Sequence, residues 1–489
     1  MSNVDYKWLN TLPDTILARI ISFLPTRDAI KTVQLRTFAN LWTTIDLLDF
    51  DDHPFHEEST RDEGYVTLKF IRFVRYCIML HKCVKIRKFR VSFKYSLKYL
   101  SARYSIVYHE CMDYKLVSEV EMWVKFALTR GVEVLDLNFG VLRQVEGKFK
   151  IPDFVWASES LAELRLLNCK VKPPNKVCTS LLKILTLNKV SINKESLCLV
   201  IGCCPLLQDL GITDCNELSE LSFTAPNIRN LRVCMNYRHW KLTVNCPNVR
   251  SFCFSGCVEF IELINLFSVK KVSFDHKLDL IVKFFWYKGL RQFKRFLEQV
   301  QHAEILMLGS VPFTVLTYRV LENHPCPRNK WKRVVLHTWL SRAFIEEVSS
   351  LLRYSPWLEE LIIYIINISD PSGYPPKCVE LVELENGDYR PYEEDKWSFQ
   401  CLNQCLNNVT MNGLLRSSCD AQIDLARIIL KNALVLDKLT IFADCNAQSQ
   451  EAIGFTGREL FEISKKLQAF QRVSKHASVN LLYSDTAKA

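Results

Sequence analysis

One hydrophobic pattern recurs along the chain: an apolar residue, two variable positions, an apolar residue, one variable position, and a third apolar residue. It appears at Val132-Leu135-Leu137, Leu161-Leu164-Leu166, Leu182-Leu185-Leu187, Leu207-Leu210-Ile212, Ile228-Leu231-Val233, Val249-Phe252-Phe254 and Val269-Val272-Phe274. Weaker copies follow at Ala303-Leu306-Leu308, Trp331-Val334-Leu336, Leu358-Leu361-Ile363, Leu406-Val409-Met411 and Leu436-Leu439-Ile441. Starts in the central array are 21, 25, 21, 21 and 20 residues apart. The last part of each copy alternates with period two, so it predicts a short strand with one face turned inward. A single strand of this kind cannot bury its inward row. Stacked copies can, which predicts one continuous core built by addition.

That period lies in the leucine-rich-repeat range. Cys169, Cys215 and Cys257 each fall eight residues after a repeat start, where this class places a small buried group at the turn. These thiols are therefore expected to be structural rather than redox-active or metal-binding. Cys204-Pro205, Ala225-Pro226 and Cys246-Pro247 precede repeat starts, where proline suits the beginning of a strand.

Before the array the pattern changes to helical spacing. Ile16, Leu17, Ile20 and Leu24 predict one helix, with Thr11-x-x-Asp14 as its capping box and Pro13 in its first turn. Pro25 stops it and Thr26 is expected to cap the next helix, striped by Ile30 and Val33. Phe38, Leu41, Trp42 and Ile45 predict a third. A core this small gains from a partner that covers its apolar face. After the array, residues 369–397 carry four Pro, two Gly and eight acidic residues, and read as a polar loop. Helical and strand patterns then return, with helices over Ile423–Leu430 and Gly457–Lys466.

Charge changes this picture in one place. The chain of 489 residues has a net charge of +10, which invites a nucleic-acid reading. The excess is local: Lys69–Arg103 holds eleven Lys or Arg and no acidic residue, leaving 52 basic against 53 acidic elsewhere. Within it, Phe70, Phe73, Val74 and Cys77 make a helical stripe, and Val84-Ile86 followed by Phe89-Val91-Phe93 reads as a strand with a bulge between Arg87 and Lys88. Lys85, Arg87, Lys88 and Arg90 form the candidate basic patch. It is expected to be a solvated face, with contact to an acidic partner next in rank. Direct nucleic-acid binding ranks last, because the strand offers no exposed aromatic platform.

Composition narrows the classes further. Fourteen glycines make glycine-rich phosphate loops an unpromising basis for function. Nineteen scattered cysteines, without a Cys-x-x-Cys pair or an N-terminal apolar leader, read as reduced thiols and imply the cytoplasm or the nucleus. No apolar run is long enough to span a bilayer. No hydrolase elbow, zinc-protease or phosphate-loop motif occurs, so the chain is expected to be non-catalytic, with no catalytic residues, metal or cofactor. His53 and His56 beside Glu57 and Glu58 are read as polar loop residues rather than a metal site.

The N-terminal stretch resembles an F-box. The match rests on Leu12-Pro13-Asp14, Ile16-Leu17, Ile20, Ser22-Phe23-Leu24-Pro25, Arg27-Asp28-Ala29, Thr32 and Leu41-Trp42, with Leu48-Asp49-Phe50-Asp51-Asp52 following. Its form is similar to that of plant F-box proteins with leucine-rich repeats. Val120–Val132 and Phe154–Leu161 resemble flanking pieces of the same family, and the C-terminal region resembles its FBD domain, expected here to cap the array. The run Leu35–Trp42 is one residue shorter than usual, with Phe38 about where Trp is usual, which would turn the third helix by about 100°.

The resemblance implies an α/β architecture: a three-helix F-box at 8–50, a basic linker and solenoid entry at 51–131, leucine-rich repeats at 132–368, the acidic loop at 369–397, and an FBD-like domain at 398–485. It also implies a substrate-recognition subunit of a cullin-based ubiquitin ligase. A Skp-family adaptor would dock on Leu12, Pro13, Ile16, Leu17, Ile20, Phe23, Leu24, Pro25, Ile30, Val33, Leu35, Phe38 and Trp42, and the repeats would hold a protein target. The competing reading is a repeat scaffold that has lost ligase coupling.

Overall fold

The structure, a computed structural model, describes residues 12–34, 41–57, 63–94, 106–140, 148–218, 220–235, 241–256, 260–276, 295–309, 329–338, 344–365, 398–414, 419–443 and 455–482. The chain divides into two compact units, Met1–Arg232 and Val233–Ala489.

The first unit is built on a parallel ladder. Strands β1 (Leu47–Asp51), β2 (Lys88–Phe93), β3 (Val134–Phe139), β4 (Glu163–Leu167), β5 (Ile184–Asn188) and β6 (Asp209–Thr213) pair in chain order without slip. The register aligns Phe50, Val91, Leu137, Leu166, Leu187 and Ile212 in one inward row. Every apolar position of the twelve repeat copies found in the sequence is at most 2 % exposed. The stacking logic is therefore realised at each of them.

Two further copies precede residue 132. Ile45-Leu48-Phe50 and Ile86-Phe89-Val91 have the same spacing and are equally buried. They are separated by helices longer than the array's usual return segments: α4 (Glu63–Leu80) and α5 (Ile106–Thr129), with the short α3 (His53–Glu57) ahead of them. The segment expected to be a basic linker and solenoid entry thus supplies a full strand, β2, to the ladder. Its strand is Lys88–Phe93 without a bulge; Val84 lies outside it and is exposed. An aromatic cluster fills the space under β1–β3, with Phe70 against Phe93 at 5.6 Å, Phe93 against Trp123 at 5.9 Å and Phe93 against Phe139 at 5.6 Å.

Past each strand the chain must turn. Asn168, Lys189 and Asp214 take positive φ at the same place, seven residues after their repeat starts. The next residue points inward, which buries Cys169 and Cys215 as expected. Cys257 lies outside the described residues. The prolines serve a turn before the strand rather than the strand itself: Leu207 N–H donates to Cys204 O at 3.1 Å, which places Pro205 second in the turn.

The N-terminal module covers the open edge of β1. Helix α1 (Asp14–Ile21) begins after Pro13, which offers no side-chain cap; Thr11, expected to open a capping box there, lies outside the described residues. Helix α2 (Thr26–Lys31) begins after Pro25, and Thr26 is its first residue rather than its cap. The buried Thr26 hydroxyl instead accepts the Asp49 backbone N–H at 2.7 Å, satisfying a β1 edge donor. The expected third helix is, among the described residues, only a 3₁₀ turn over Leu41–Thr44, because β1 begins at residue 47. Thr43 and Asp46 carbonyls accept backbone N–H groups of residues 82–83 and 87–88. His81 Nε2 lies 2.9 Å from Ile45 O.

Strand β7 (Glu220–Thr224) lies outside the main ladder, and β8 (Asn230–Met235) leads from the first unit into the second. The second unit continues the same construction with β10 (Ser251–Gly256), β12 (Lys271–His276), β13 (Ile305–Leu308), β14 (Arg333–Thr338), β15 (Glu360–Ile365), β16 (Asn408–Asn412), β17 (Lys438–Phe442) and β18 (Ser478–Leu482), all parallel. Strands β9 (Lys241–Asn245) and β11 (Phe260–Ile264) pair in a second sheet. Gly256 has φ +132°, and a Cβ there would run into the Met235 carbonyl, so only glycine fits. The array does not stop at residue 368. The region expected as an FBD-like cap supplies β16–β18, with helices over Gln400–Gln404, Cys419–Asn432 and Gly457–Gln468. The acidic loop, 369–397, lies outside the described residues.

Two stability outcomes follow from these contacts. Thr26→Val keeps the shape but strands the Asp49 N–H, and should lower unfolding free energy by about 1–3 kcal/mol in a denaturant titration. Burial lowers the His81 pKa from 6.5, opposed by its bond to Ile45 O. Its contribution is complete above pH 6.5 and lost as pH falls from there toward the depressed folded value. The denaturant midpoint should fall between pH 7.5 and 5.5 by more in the wild type than in His81→Gln.

Candidate functional site

Two surfaces stand out: the face of the N-terminal helices and the open face of the sheet. On the helices, Ile16, Ile20, Phe23, Leu24 and Val33 are all more than a third exposed, Phe23 at 73 %. Ile16 and Ile20 are one turn apart, and Phe23 and Leu24 continue past the end of α1. Pro13 and Pro25 are also exposed, while Leu12 and Ile30 are half-buried. Five large exposed apolar side chains within 18 residues form the kind of surface that marks an interaction site.

Two residues assigned to that surface from the sequence lie elsewhere. Leu17 and Trp42 are buried, at 1 % and 5 %, and pack the module's interior. Helical periodicity shows that Ile16, Leu17 and Ile20 are apolar, but not which side faces β1. Leu35 and Phe38 lie outside the described residues.

The basic patch is matched by acid from neighbouring strands and loops. Lys85 pairs with Glu133 at 2.6 Å and Arg87 with Asp46 at 3.3 Å. Arg90 reaches Asp49 at 2.6 Å and Asp51 at 3.1 Å, with Asp136 at 3.9 Å. The ladder aligns Asp49, Arg90, Asp136 and Arg165 in one outward row of alternating sign. Burial raises the Asp136 pKa, while Arg90 and Arg165 oppose the rise. Lys88 lies in the adjacent row, between Leu47 and Val134. The segment's positive charge therefore meets a local counter-charge that the linear sequence hides, which removes the basis for reading it as a bare electrostatic patch.

Other candidate chemistry is local. His56 Nε2 lies 3.1 Å from Asp52 Oδ2, and the same oxygen accepts the Lys94 backbone N–H at 2.8 Å. Among the described residues no group of three His, Cys, Asp or Glu side chains is placed to hold a metal. No described helix is long and apolar enough to cross a membrane. Burial pushes the Cys215 thiol up to about 11 and the Cys169 thiol higher still.

The family model described as "At1g61320/AtMIF1, LRR domain" matches residues 94–476. The chain belongs to this leucine-rich-repeat family. Among curated relatives, the F-box/LRR-repeat protein At3g03360 of Arabidopsis thaliana is 26 % identical, over 82 % of this chain and 79 % of its own length. The F-box/FBD/LRR-repeat protein At5g22660 of the same plant is 23 % identical, over 97 % and 96 %. The putative F-box/LRR-repeat protein At3g18150, also of Arabidopsis thaliana, is 24 % identical, over 89 % and 86 %. The chain is thus a plant-type F-box/LRR protein with an FBD-like C-terminal region.

Thiol labelling checks the assignment of the cysteines in this LRR protein. Under native conditions at pH 8, an alkylating reagent should modify exposed Cys178 and leave Cys169 and Cys215 unmodified until the protein is unfolded. Native labelling of Cys169 would contradict a structural role.

Proposed function

We propose that this protein is the substrate-recognition subunit of a cullin-based ubiquitin ligase, with its N-terminal helices docking a Skp-family adaptor. The observation that carries the reading is the exposed apolar set Ile16, Ile20, Phe23, Leu24 and Val33, on a module whose sequence is that of an F-box. Covering these side chains supplies favourable transfer free energy to a complex, of order 25 cal/mol per Å² before the costs of association are subtracted. The module is tied to the first strand through Thr26 and Asp49. A docked adaptor would therefore fix the position of the first unit's strands. A target held on the repeats would then be presented at high effective concentration to a charged conjugating enzyme. The chain contributes position and carries out no chemistry in this reading.

Capture on an immobilised Skp-family adaptor tests it. The wild type should be retained, and Ile20→Asp or Phe23→Asp should lower the affinity at least about tenfold, ~1.4 kcal/mol, with little change in melting temperature. Neutralising Lys85, Arg87 and Lys88 together should leave capture unchanged. Failure of the wild type to bind would favour the scaffold reading, as would indifference to both Asp substitutions.

A further inference from the structure

On the open face of the second unit, the outward positions at the strand ends align as Ser255, Asp275, Gly309, His337 and Tyr364. The register pairs Ser255 with Asp275 and His337 with Tyr364; Gly309 follows Leu308, which pairs with Phe274 on one side and Leu336 on the other. The four side chains come from β10, β12, β14 and β15, and Gly309, just past the end of β13, completes the row.

Asp275 differs from the other carboxylates on the outward face of the ladder. Asp49, Asp51, Asp136, Glu163 and Glu360 each face an arginine, and Asp209 accepts from the Asn230 side-chain amide. Asp275 receives only the Ser255 hydroxyl, at 3.2 Å, and no Lys or Arg among the described residues pairs with it. The neighbouring position is built around it: a Cβ on Gly309 would run into Asp275 Oδ1, so the carboxylate lies over bare backbone. Beyond Gly309, the His337 and Tyr364 rings stack at 4.8 Å with planes 10° apart, and Tyr364 is 41 % exposed. Burial lowers the His337 pKa, with Asp275 pulling it the other way, so the imidazole adds little positive charge near neutral pH.

The arrangement combines an unmatched carboxylate, a floor without a side chain and a flat aromatic pair. A guanidinium has the complementary chemistry. It is planar and always charged, donates two parallel bonds to a carboxylate, and stacks on aromatic faces; an ammonium meets only the charge. We propose that the Asp275–Gly309–His337–Tyr364 notch is a recognition site for an arginine side chain of a protein partner. This deepens the receptor reading by naming what the open face takes, and rests on that reading only in calling the bound segment a target. Peptide binding is read on the chain alone, so a failure here and a failure of adaptor capture are separate results.

The test is selection of a displayed random 12-residue peptide library on the full chain, followed by fluorescence anisotropy with the winning peptide. Arginine should be enriched at one position. Replacing that arginine by citrulline, which keeps the shape and removes the charge, should weaken binding at least about tenfold, and lysine should weaken it less. Asp275→Asn and Tyr364→Ala should each cost a similar factor, and Gly309→Ala should do so by displacing the carboxylate. The citrulline comparison uses wild-type protein and does not depend on any variant folding. Selection without arginine enrichment would overturn the proposal. So would equal binding of the citrulline peptide, or arginine binding that survives in a folded Asp275→Asn protein.

Discussion

The structure depends on one constraint: the inward row of each strand is buried only by the strands beside it. Leu135 and Leu137 on β3 have no core of their own; they are covered because Phe89 and Val91 lie on one side and Leu164 and Leu166 on the other, in register. A one-residue slip in any strand would turn its apolar row outward. The positive-φ turn at Asn168, Lys189 and Asp214 keeps that register, because it ends each strand at the same place and sends the next residue inward. Gly256 meets the same need in the second unit, where the close approach of the Met235 carbonyl leaves no room for a side chain.

A ladder held together by its neighbours is weakest at its ends. At the first end, β1 would present an unpaired edge, and the N-terminal helices close it. Thr26 accepts from Asp49, and the carbonyls of Thr43 and Asp46 accept from the segment leading into β2. The module proposed to dock an adaptor is therefore also the cap of the array. Its two roles use different side chains: Leu17, Ile21, Ala29 and Trp42 face in, while Ile16, Ile20, Phe23, Leu24 and Val33 face out. Electrostatics follow the same logic. The strands nearest this cap match Arg90 with Asp49, Asp51 and Asp136, so little unmatched charge is left there for a partner. Asp275 in the second unit has no such match among the described residues.

Much of the fold was legible because the repeat is written in apolar spacing, and all twelve copies read from the sequence are strands with their apolar positions buried. Ile45-Leu48-Phe50 and Ile86-Phe89-Val91 carry the same signal but stand outside the regular spacing. The long helices α4 and α5 break the 20–25-residue rhythm, so these two copies are hidden from a search by period. The acidic partners of the basic patch are hidden for a related reason: Arg90 meets residues 39 to 46 positions away, which only the parallel register brings together. Thr26 carries the composition of a helix cap, yet its hydroxyl serves a strand 23 residues on. Asp275 had no signal at all in the linear sequence, since its meaning lies in Gly309 and His337 on the next two strands.

The central claim is that the N-terminal helices are at once the cap of the ladder and the docking face. Hydrogen–deuterium exchange on the full chain, with and without a Skp-family adaptor, measures both roles together. Amides of residues 47–51 should exchange slowly in the free chain, as slowly as those of β3 and β4, because the helices already cover that edge. Added adaptor should slow residues 14–34 and leave 47–51 unchanged. Fast exchange at 47–51 in the free chain, or protection by the adaptor that bypasses residues 14–34, would contradict the account.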